Sequence, residues 1–326
     1  MTGVQTCALP ICFPVTIGGF ASCESPIELY RSIEVEYFAC GQCVLCLKRR
    51  VREWRDRMVH ELQYAGTGLF ITLTYADWHL PWYATLSKRD LQLFWKRLRK
   101  ALGSRKIKYF AVGEYGESPD DKLIDRWREG IKLTNVGRPH YHAIVFGLSA
   151  DDLEILKEAW SKGFVSIGEV NDVTINYTLG YTQKKYRKTD KLLYDMFNII
   201  EPFQTQSHGI GKRWILDNRQ SVIQTLSYTI NGVSRGLPRY YIKVLKSIFG
   251  DLSIKMLLME RVREYILSLE DEYRKCKDPS YVRPDLEYLA RGLKDDFVDW
   301  LRATAKVKSG LVLFYLAKAK RRDVYG

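Results

Sequence analysis

His140, Tyr141 and His142 fall inside the run Pro139 to Phe146, PHYHAIVF, whose aromatic and β-branched content reads as a strand. Successive side chains on a strand point to opposite faces, so His140 and His142 share one face and Tyr141 takes the other. Two imidazoles side by side are a metal-ligating arrangement. The preceding run, IKYFAVGE from Ile107 to Glu114, reads as another strand, and the same alternation puts Lys108, Phe110, Val112 and Glu114 on a common face. A hairpin between the two sets Glu114 across from the histidines, where facing side chains lie about 5 Å apart. Two imidazoles, a carboxylate and open positions suit Mg2+, Mn2+ or Zn2+, and such a site polarises phosphoryl oxygens. A His-x-His pair alone is more often a half-buried strand edge. The chain, however, has only 5 histidines, and two of them meet on this face behind a Gly137-Arg138-Pro139 turn.

A second group follows on a helix expected from about Asp172 to Lys188. Tyr177 and Tyr181 are spaced i, i+4, with Lys184 three residues and Lys185 four residues further on, so one face presents two phenols and an ammonium. A tyrosine that attacks a phosphodiester must lose a proton of pKa about 10, and only about one in a thousand is ionised at pH 7 unaided. A lysine and a metal-bound phosphate stabilise the phenolate and the charge spreading over phosphorus. The same spacing is met in ordinary core packing, and tyrosines so placed can also stack on bases.

Three thiols, Cys40, Cys43 and Cys46, are spaced x2 and x2 just before a helical pattern. They can wrap Zn2+ or an iron–sulfur cluster if a fourth ligand joins them, for which Cys12 or Cys23 is available. The alternative is three small buried residues in a reducing compartment. Cys276 is isolated. The segment Met1 to Ile11, MTGVQTCALPI, reads as a translated sequencing-library adapter running into the coding region, which makes Cys7 foreign and leaves the native start out. The apolar stretch from Ala8 to Ala21 imitates a signal peptide but has no basic segment before it, so a secreted protein is not expected.

The elements that must position these residues follow from hydrophobic periodicity. Val44, Leu47, Val51, Trp54 and Met58 make the apolar stripe of a helix whose other faces carry Arg49, Arg50, Arg52, Arg55 and Arg57, a basic surface able to meet phosphate. Leu69 to Tyr75 is a strand. Ser87 caps a helix with Leu91, Phe94, Trp95, Leu98 and Leu102 inward. The strands of Glu114 and the histidines come next, then a helix over Asp151 to Lys162 and a strand over Gly163 to Val170. The order β-α-β-β-α-β predicts an α+β fold of the split βαβ, ferredoxin-like type, with helices on one face of an antiparallel sheet and the other face free for a site. Beyond it lie a mixed, glycine-containing region from Phe203 to Arg239 and helical patterns over Tyr241 to Ser268 and Arg283 to Val307.

With 326 residues, 46% hydrophobic and 27% charged, the chain is neither disordered nor collagenous nor membrane-spanning. Its 51 Lys+Arg against 38 Asp+Glu leave +13, which fits a polyanionic partner, and 21 Tyr, 8 Trp and 13 Phe favour nucleic acid over a membrane surface. No Gly-x4-Gly-Lys-Ser/Thr loop occurs, so a fused helicase is not expected.

Cys40-Gly41-Gln42-Cys43 running into Arg52-Glu53-Trp54, the strand Phe70 to Tyr75, Gly113-Glu114-Tyr115-Gly116, Gly137 to His142, the Tyr177/Tyr181/Lys184 helix, Gly209-Ile210-Gly211 and Leu237 to Tyr241 together resemble replication initiators of small single-stranded DNA phages, the gokushovirus-like microviruses, over roughly Cys12 to Tyr241. The resemblance implies a rolling-circle initiator of the HUH endonuclease superfamily. His140 and His142, with Glu114 as third ligand, would then hold Mg2+ or Mn2+, and Tyr177 or Tyr181, aided by Lys184, would cut the origin strand and keep its 5′ end. It also implies single-stranded origin DNA, a host helicase and a host DNA polymerase as partners, no membrane, and the cytoplasm of the bacterial host. On this reading residues 12–66 are a cysteine-containing segment and basic helix, 67–190 the endonuclease core, and 191–326 a mixed and then helical C-terminal region. A two-tyrosine transposase and a non-catalytic single-stranded DNA-binding protein are the alternatives.

Overall fold

The structure is a computed structural model that describes residues 23, 27–31, 34–116, 137–183, 194–195 and 198–277. It begins with an antiparallel hairpin, β1 (Ile27–Arg31) and β2 (Glu34–Phe38), followed by the helix α1 (Val44–Ala65). Then come β3 (Gly68–Tyr75), α2 (Lys88–Leu102), β4 (Lys108–Tyr115), β5 (Pro139–Phe146), α3 (Leu153–Ala159), β6 (Gly163–Glu169), α4 (Asp172–Gly180) and β7 (Phe203–Gln206). The remaining elements are α5 (Lys212–Asp217), α6 (Arg219–Thr225), the hairpin β8 (Ser227–Ile230) and β9 (Val233–Gly236), α7 (Arg239–Phe249) and α8 (Asp251–Lys277). The chain divides into two compact units, Trp54–Trp214 and Met1–Glu53 with Ile215–Gly326, and the division falls inside α1.

The first unit holds a five-stranded sheet in the order β6-β3-β5-β4-β7, with every pairing antiparallel. Its first four strands in sequence, with α2 and α3 as crossovers, make the split βαβ arrangement of an α+β fold. The fifth, β7, adds to the free edge of β4 from the region read as mixed. Four residues without a run of β-branched side chains give little periodicity to detect.

Alternation divides the sheet into two faces. Leu69, Ile71, Leu73 and Tyr75 of β3, Ala111 of β4, and Tyr141, Ala143 and Val145 of β5 are buried together with Phe94, Trp95 and Leu98 of α2 and Leu156 of α3. The cap expected for α2 is present: the Ser87 hydroxyl accepts the Asp90 N–H at 3.1 Å. Tyr141, fully buried in this core, binds the strand edge to the start of α2, accepting from Ser87 N at 2.8 Å and lying 2.9 Å from the Tyr75 hydroxyl.

The opposite face is not bare, contrary to expectation. The second half of α1 lies on it, with the Trp54 ring 5.0 Å from Phe110 and Glu61 holding the Lys108 ammonium at 2.7 Å. The basic surface of α1 is also smaller than expected. Arg49 and Arg57 are buried, and Arg57 stacks over Trp54 at 4.0 Å while its Nε donates to the Ile210 carbonyl at 3.0 Å. Arg55 pairs with Asp172 at 2.9 Å, which leaves Arg50 and Arg52 as the exposed arginines of this helix.

Three helices depart from their expected bounds. The helix over Asp151 to Lys162 is a 3-10 turn, Ala150–Asp152, followed by α3, which stops at Ala159 as Trp160 turns its ring into the core. The expected continuous helix to Lys188 ends at Gly180 and gives way to a 3-10 turn at Tyr181–Gln183, while Lys184 and Lys185 lie outside the described residues. The pattern read over Tyr241 to Ser268 is two helices, α7 and α8, parted by Gly250 at φ +90, which a side-chain-bearing residue rarely adopts. The pattern over Arg283 to Val307, residues 1–11 and Cys12 also lie outside the described residues. Among the described residues no helix is long and apolar enough to cross a membrane.

Replacing Tyr141 by Phe strands the Ser87 N–H in a dry core. The expected loss is about 1–3 kcal/mol of unfolding free energy, read from urea denaturation; an unchanged midpoint would show the hydroxyl to be dispensable.

Candidate active site

The pairing of β4 with β5 sets Glu114 directly opposite His140 and Val112 opposite His142, while on the other side of β5 Thr74 faces His140 and Thr72 faces His142. The register holds to the end of the strands: Gly116 N donates to Arg138 O at 2.9 Å and Gly137 N to Gly116 O at 2.8 Å. This close approach needs glycine, since a β-carbon on Gly137 would collide with the Gly116 carbonyl. Residues 117–136, outside the described residues, therefore leave the hairpin in step.

The three groups expected to meet do meet. One carboxylate oxygen of Glu114, Oε1, lies 2.9 Å from His140 Nε2 and 3.1 Å from His142 Nε2. The outer ring nitrogens are engaged behind them. His140 Nδ1 donates to the Arg138 carbonyl at 3.1 Å, and His142 Nδ1 lies 2.9 Å from the Thr72 hydroxyl. A carbonyl only accepts, so the proton of neutral His140 sits on Nδ1 and the Nε2 lone pair points at Glu114. Bare, a lone pair and a carboxylate oxygen at this distance repel unless something positive lies between them.

A proton or a cation can supply that charge. Ligand bonds of about 2.1 Å set at right angles put neighbouring donors about 3 Å apart, close to the spacing seen, and backbone and hydroxyl groups orient both imidazoles from behind. The donor set therefore fits a divalent ion. Burial pushes the Glu114 carboxyl up, but the hydrogen bonds from His140 and His142 outweigh it and hold the group below its usual range, ready to ligate.

The tyrosines reach the same face from α4. Asn171 caps this helix, accepting the Thr174 N–H at 2.9 Å, and Ile175, Thr178 and Leu179 form its buried side. Tyr177, on the flank, brings its hydroxyl to 3.5 Å from His142 Nε2. Tyr181 lies beyond the end of α4 with its ring near-parallel to His142 at 5.6 Å, and the two tyrosine rings stand edge-on at 5.0 Å. Tyr177 is 48% exposed, so one phenol is open to an incoming strand. Burial, the Tyr177 hydrogen bond and the charge of Glu114 push the Tyr181 phenol above its ordinary value. Neutralising Glu114 removes the last of these causes.

Three features around the site were not read from the sequence. Phe164 of β6 pairs with Thr74, which places it on the row Phe164-Thr74-His140-Glu114 across the sheet, and it is 67% exposed. Where β3 leaves the sheet beside His140, the connection to α2 carries Trp78 and Trp82, 80% and 67% exposed. Arg138 anchors its start, bonding Asp77 at 2.6 Å and the Tyr75 carbonyl at 3.2 Å. Period two on β6 would have found Phe164. Nothing in the local sequence marks Trp78 as exposed.

The cysteines gather elsewhere, at the N-terminus of α1. Cys40, Cys43 and Cys46 are joined there by Cys23, and the four sulfurs lie within 4.8 Å of one another. Cys12, the other fourth ligand considered, lies outside the described residues. The N–H groups of Gln42 and Cys43 pull the Cys40 thiol down to about 6, whereas burial pushes Cys46 up to about 12.

Residues 68–123 and 128–186 match the model of a family of phage-type replication-associated proteins, the ORF2 family. The chain is 29% identical over 230 residues to the replication-associated protein VP4 of Bdellovibrio phage phiMH2K, covering 63% of this chain and 66% of the relative. It is 30% identical over 229 residues to the replication-associated protein ORF2 of Spiroplasma virus 4, covering 62% and 65%. To the replication-associated protein ORF4 of Chlamydia phage 1 it is 26% identical over 234 residues, covering 65% and 54%. The chain thus spans just under two thirds of the first two relatives and about half of the third. No solved structure matches. Glu114, His140, His142, Tyr177 and Tyr181 all lie inside the matched family segments, so the chain's likeness to phage replication-associated proteins covers the residues that build the site.

Proposed function

We propose that this protein starts rolling-circle replication of a phage genome by nicking single-stranded origin DNA through a tyrosine and later rejoining the strand into a circle. The observation that carries the reading is the convergence of Glu114, His140 and His142 on one sheet face with the Tyr177 and Tyr181 rings packed against His142. Three metal-type donors beside two phenols are the parts that phosphodiester transfer needs.

In this mechanism Glu114, His140 and His142 hold Mg2+ or Mn2+, which when bound polarises a non-bridging phosphate oxygen. The oxygen of Tyr177 or Tyr181 bonds to phosphorus as the bond to the 3′ oxygen breaks. The phenol proton passes to solvent, the departing oxygen takes one up, and the products are a free 3′-OH and a 5′-phosphotyrosyl link. Lys184, three residues past Tyr181, would offer its ammonium to the phenolate or phosphate. The second tyrosine cuts the regenerated origin. Its strand's new 3′-OH then attacks the first link and closes the circle, so the phosphodiester count is conserved and no nucleotide is consumed. A host polymerase extends the 3′-OH and a host helicase unwinds the duplex, which places the reaction in the cytoplasm of the bacterial host.

Phe164, Trp78 and Trp82 give the incoming strand aromatic surface beside the phosphate site, where stacking is worth about 1–3 kcal/mol per base. Phe164→Ala or Trp78→Ala is therefore expected to weaken binding of a single-stranded oligonucleotide, measured by fluorescence anisotropy, by about 5- to 100-fold while manganese binding persists. Equal affinity in both variants would remove these side chains from the DNA path.

The central test incubates the protein and Mn2+ or EDTA with single-stranded oligonucleotides tiling the parent genome and resolves adducts on a denaturing gel. A metal-dependent adduct is expected on the origin oligonucleotide, retained in Tyr177→Phe or Tyr181→Phe and lost in the double variant. His140→Ala with His142→Ala is expected to lower its rate by about 100-fold or more. Tight binding with no adduct on any oligonucleotide, from folded protein, would make this a non-catalytic single-stranded DNA-binding protein.

A further inference from the structure

The four sulfurs at the start of α1 have the geometry of a closed metal site. Cys40 Sγ lies 4.0 Å from Cys46 Sγ, and Cys43 Sγ lies 4.0 Å from Cys23 Sγ. Bonded pairs would stand at about 2.05 Å, so these are not disulfides. Four thiolates around one tetrahedral ion with bonds of about 2.3 Å would be about 3.8 Å apart. An iron–sulfur cluster with several irons would hold some of them much further apart than the 4.8 Å that encloses all four here.

Two further observations point to negative charge on the sulfurs. Backbone N–H groups are turned toward them: Cys40 N donates to Cys23 Sγ at 3.3 Å, Gln42 N and Cys43 N to Cys40 Sγ at 3.4 and 3.2 Å, and Cys46 N to Cys43 Sγ at 3.4 Å. The Arg49 guanidinium, 6% exposed, brings Nη2 to 3.9 Å from Cys46 Sγ, and its Nη1 is buried with no hydrogen-bond partner among the described residues. A buried cation beside neutral thiols is poorly compensated. Beside a tetrathiolate bearing a doubly charged ion, whose net charge is −2, it is well placed.

The surroundings also need a fastener. Cys23 and Cys46 are themselves the buried core of this corner, with only Ala39, Cys40 and Cys43 packed against them, and two five-residue strands form no independently stable hairpin in water.

We infer that Cys23, Cys40, Cys43 and Cys46 bind one structural Zn2+ that ties the segment bracketing the β1–β2 hairpin to the N-terminus of α1. This site is separate from the Glu114 centre and independent of any nicking activity. On binding, each ligating thiol gives up its proton and no electron is transferred.

The test uses the full chain carrying His140→Ala and His142→Ala, purified under reducing conditions, with metals measured by mass spectrometry after dialysis. One zinc per chain is expected, released by titration with a mercurial. Cys23→Ser and Cys46→Ser are each expected to remove it, and Cys12→Ser to keep it. Should the cysteine variants fail to fold, the same full chain loaded with Co2+ is expected to show thiolate-to-metal charge-transfer absorption of a tetrahedral tetrathiolate. Folded protein without metal and with all its thiols open to a disulfide reagent would overturn the inference. Iron in place of zinc, or zinc that survives Cys23→Ser but not Cys12→Ser, would overturn the metal or the ligand set.

Discussion

Everything at the sheet face depends on the antiparallel register of β4 against β5. Because strand side chains alternate, Glu114 meets His140 only if the strands pair as they do; a slip of one residue would turn Glu114 into the core and oppose Gly113 to His140. The register is pinned at both ends. Gly116 and Gly137 close it beside the site, and at the far end Phe146 faces Lys108, whose ammonium is held by Glu61 of α1. Glu61 also accepts Gly211 N at 2.7 Å, so one carboxylate fixes the strand start, the helix and the Gly209 to Gly211 turn.

The two faces of β5 show how one short strand serves both stability and chemistry. Tyr141 is fully buried and bonded to the start of α2, while His140 and His142 on either side of it remain partly accessible on the opposite face. The strand cannot tilt to rearrange one face without breaking contacts on the other. Rigid imidazoles with occupied outer nitrogens follow from this, and a preorganised ligand pair needs little further ordering to take up a cation.

Periodicity carried the sequence reading a long way. Strand alternation in PHYHAIVF and IKYFAVGE was enough to bring Glu114, His140 and His142 together, and the capped apolar stripe of α2 was enough to place it on one face. What escaped was decided by tertiary contacts. Arg49 and Arg57 look like surface charges in sequence, yet one lies against a thiol cluster and the other stacks on Trp54. The stop of α4 at Gly180 has no proline to announce it, and β7 is too short to show a period. Cys23 joins the cysteine triplet from 17 residues before Cys40, a separation that spacing rules do not anticipate.

Charge at the site also follows from this layout. The exposed Lys88, Arg89, Lys96, Arg99 and Lys100 belong to α2, whose apolar side packs on the Tyr141 face, so they stand across the sheet from Glu114. They can attract DNA but cannot neutralise a phosphate at the histidines. A phosphodiester about 4 Å from the Glu114 carboxylate would meet a gross repulsion of about 4 kcal/mol at an effective dielectric constant near 20. Arg138, the nearest described arginine along the chain, is already paired with Asp77. A divalent ion ligated by Glu114 would reverse the sign of that interaction, so the same carboxylate that bars phosphate from the bare site would make the loaded site selective for it.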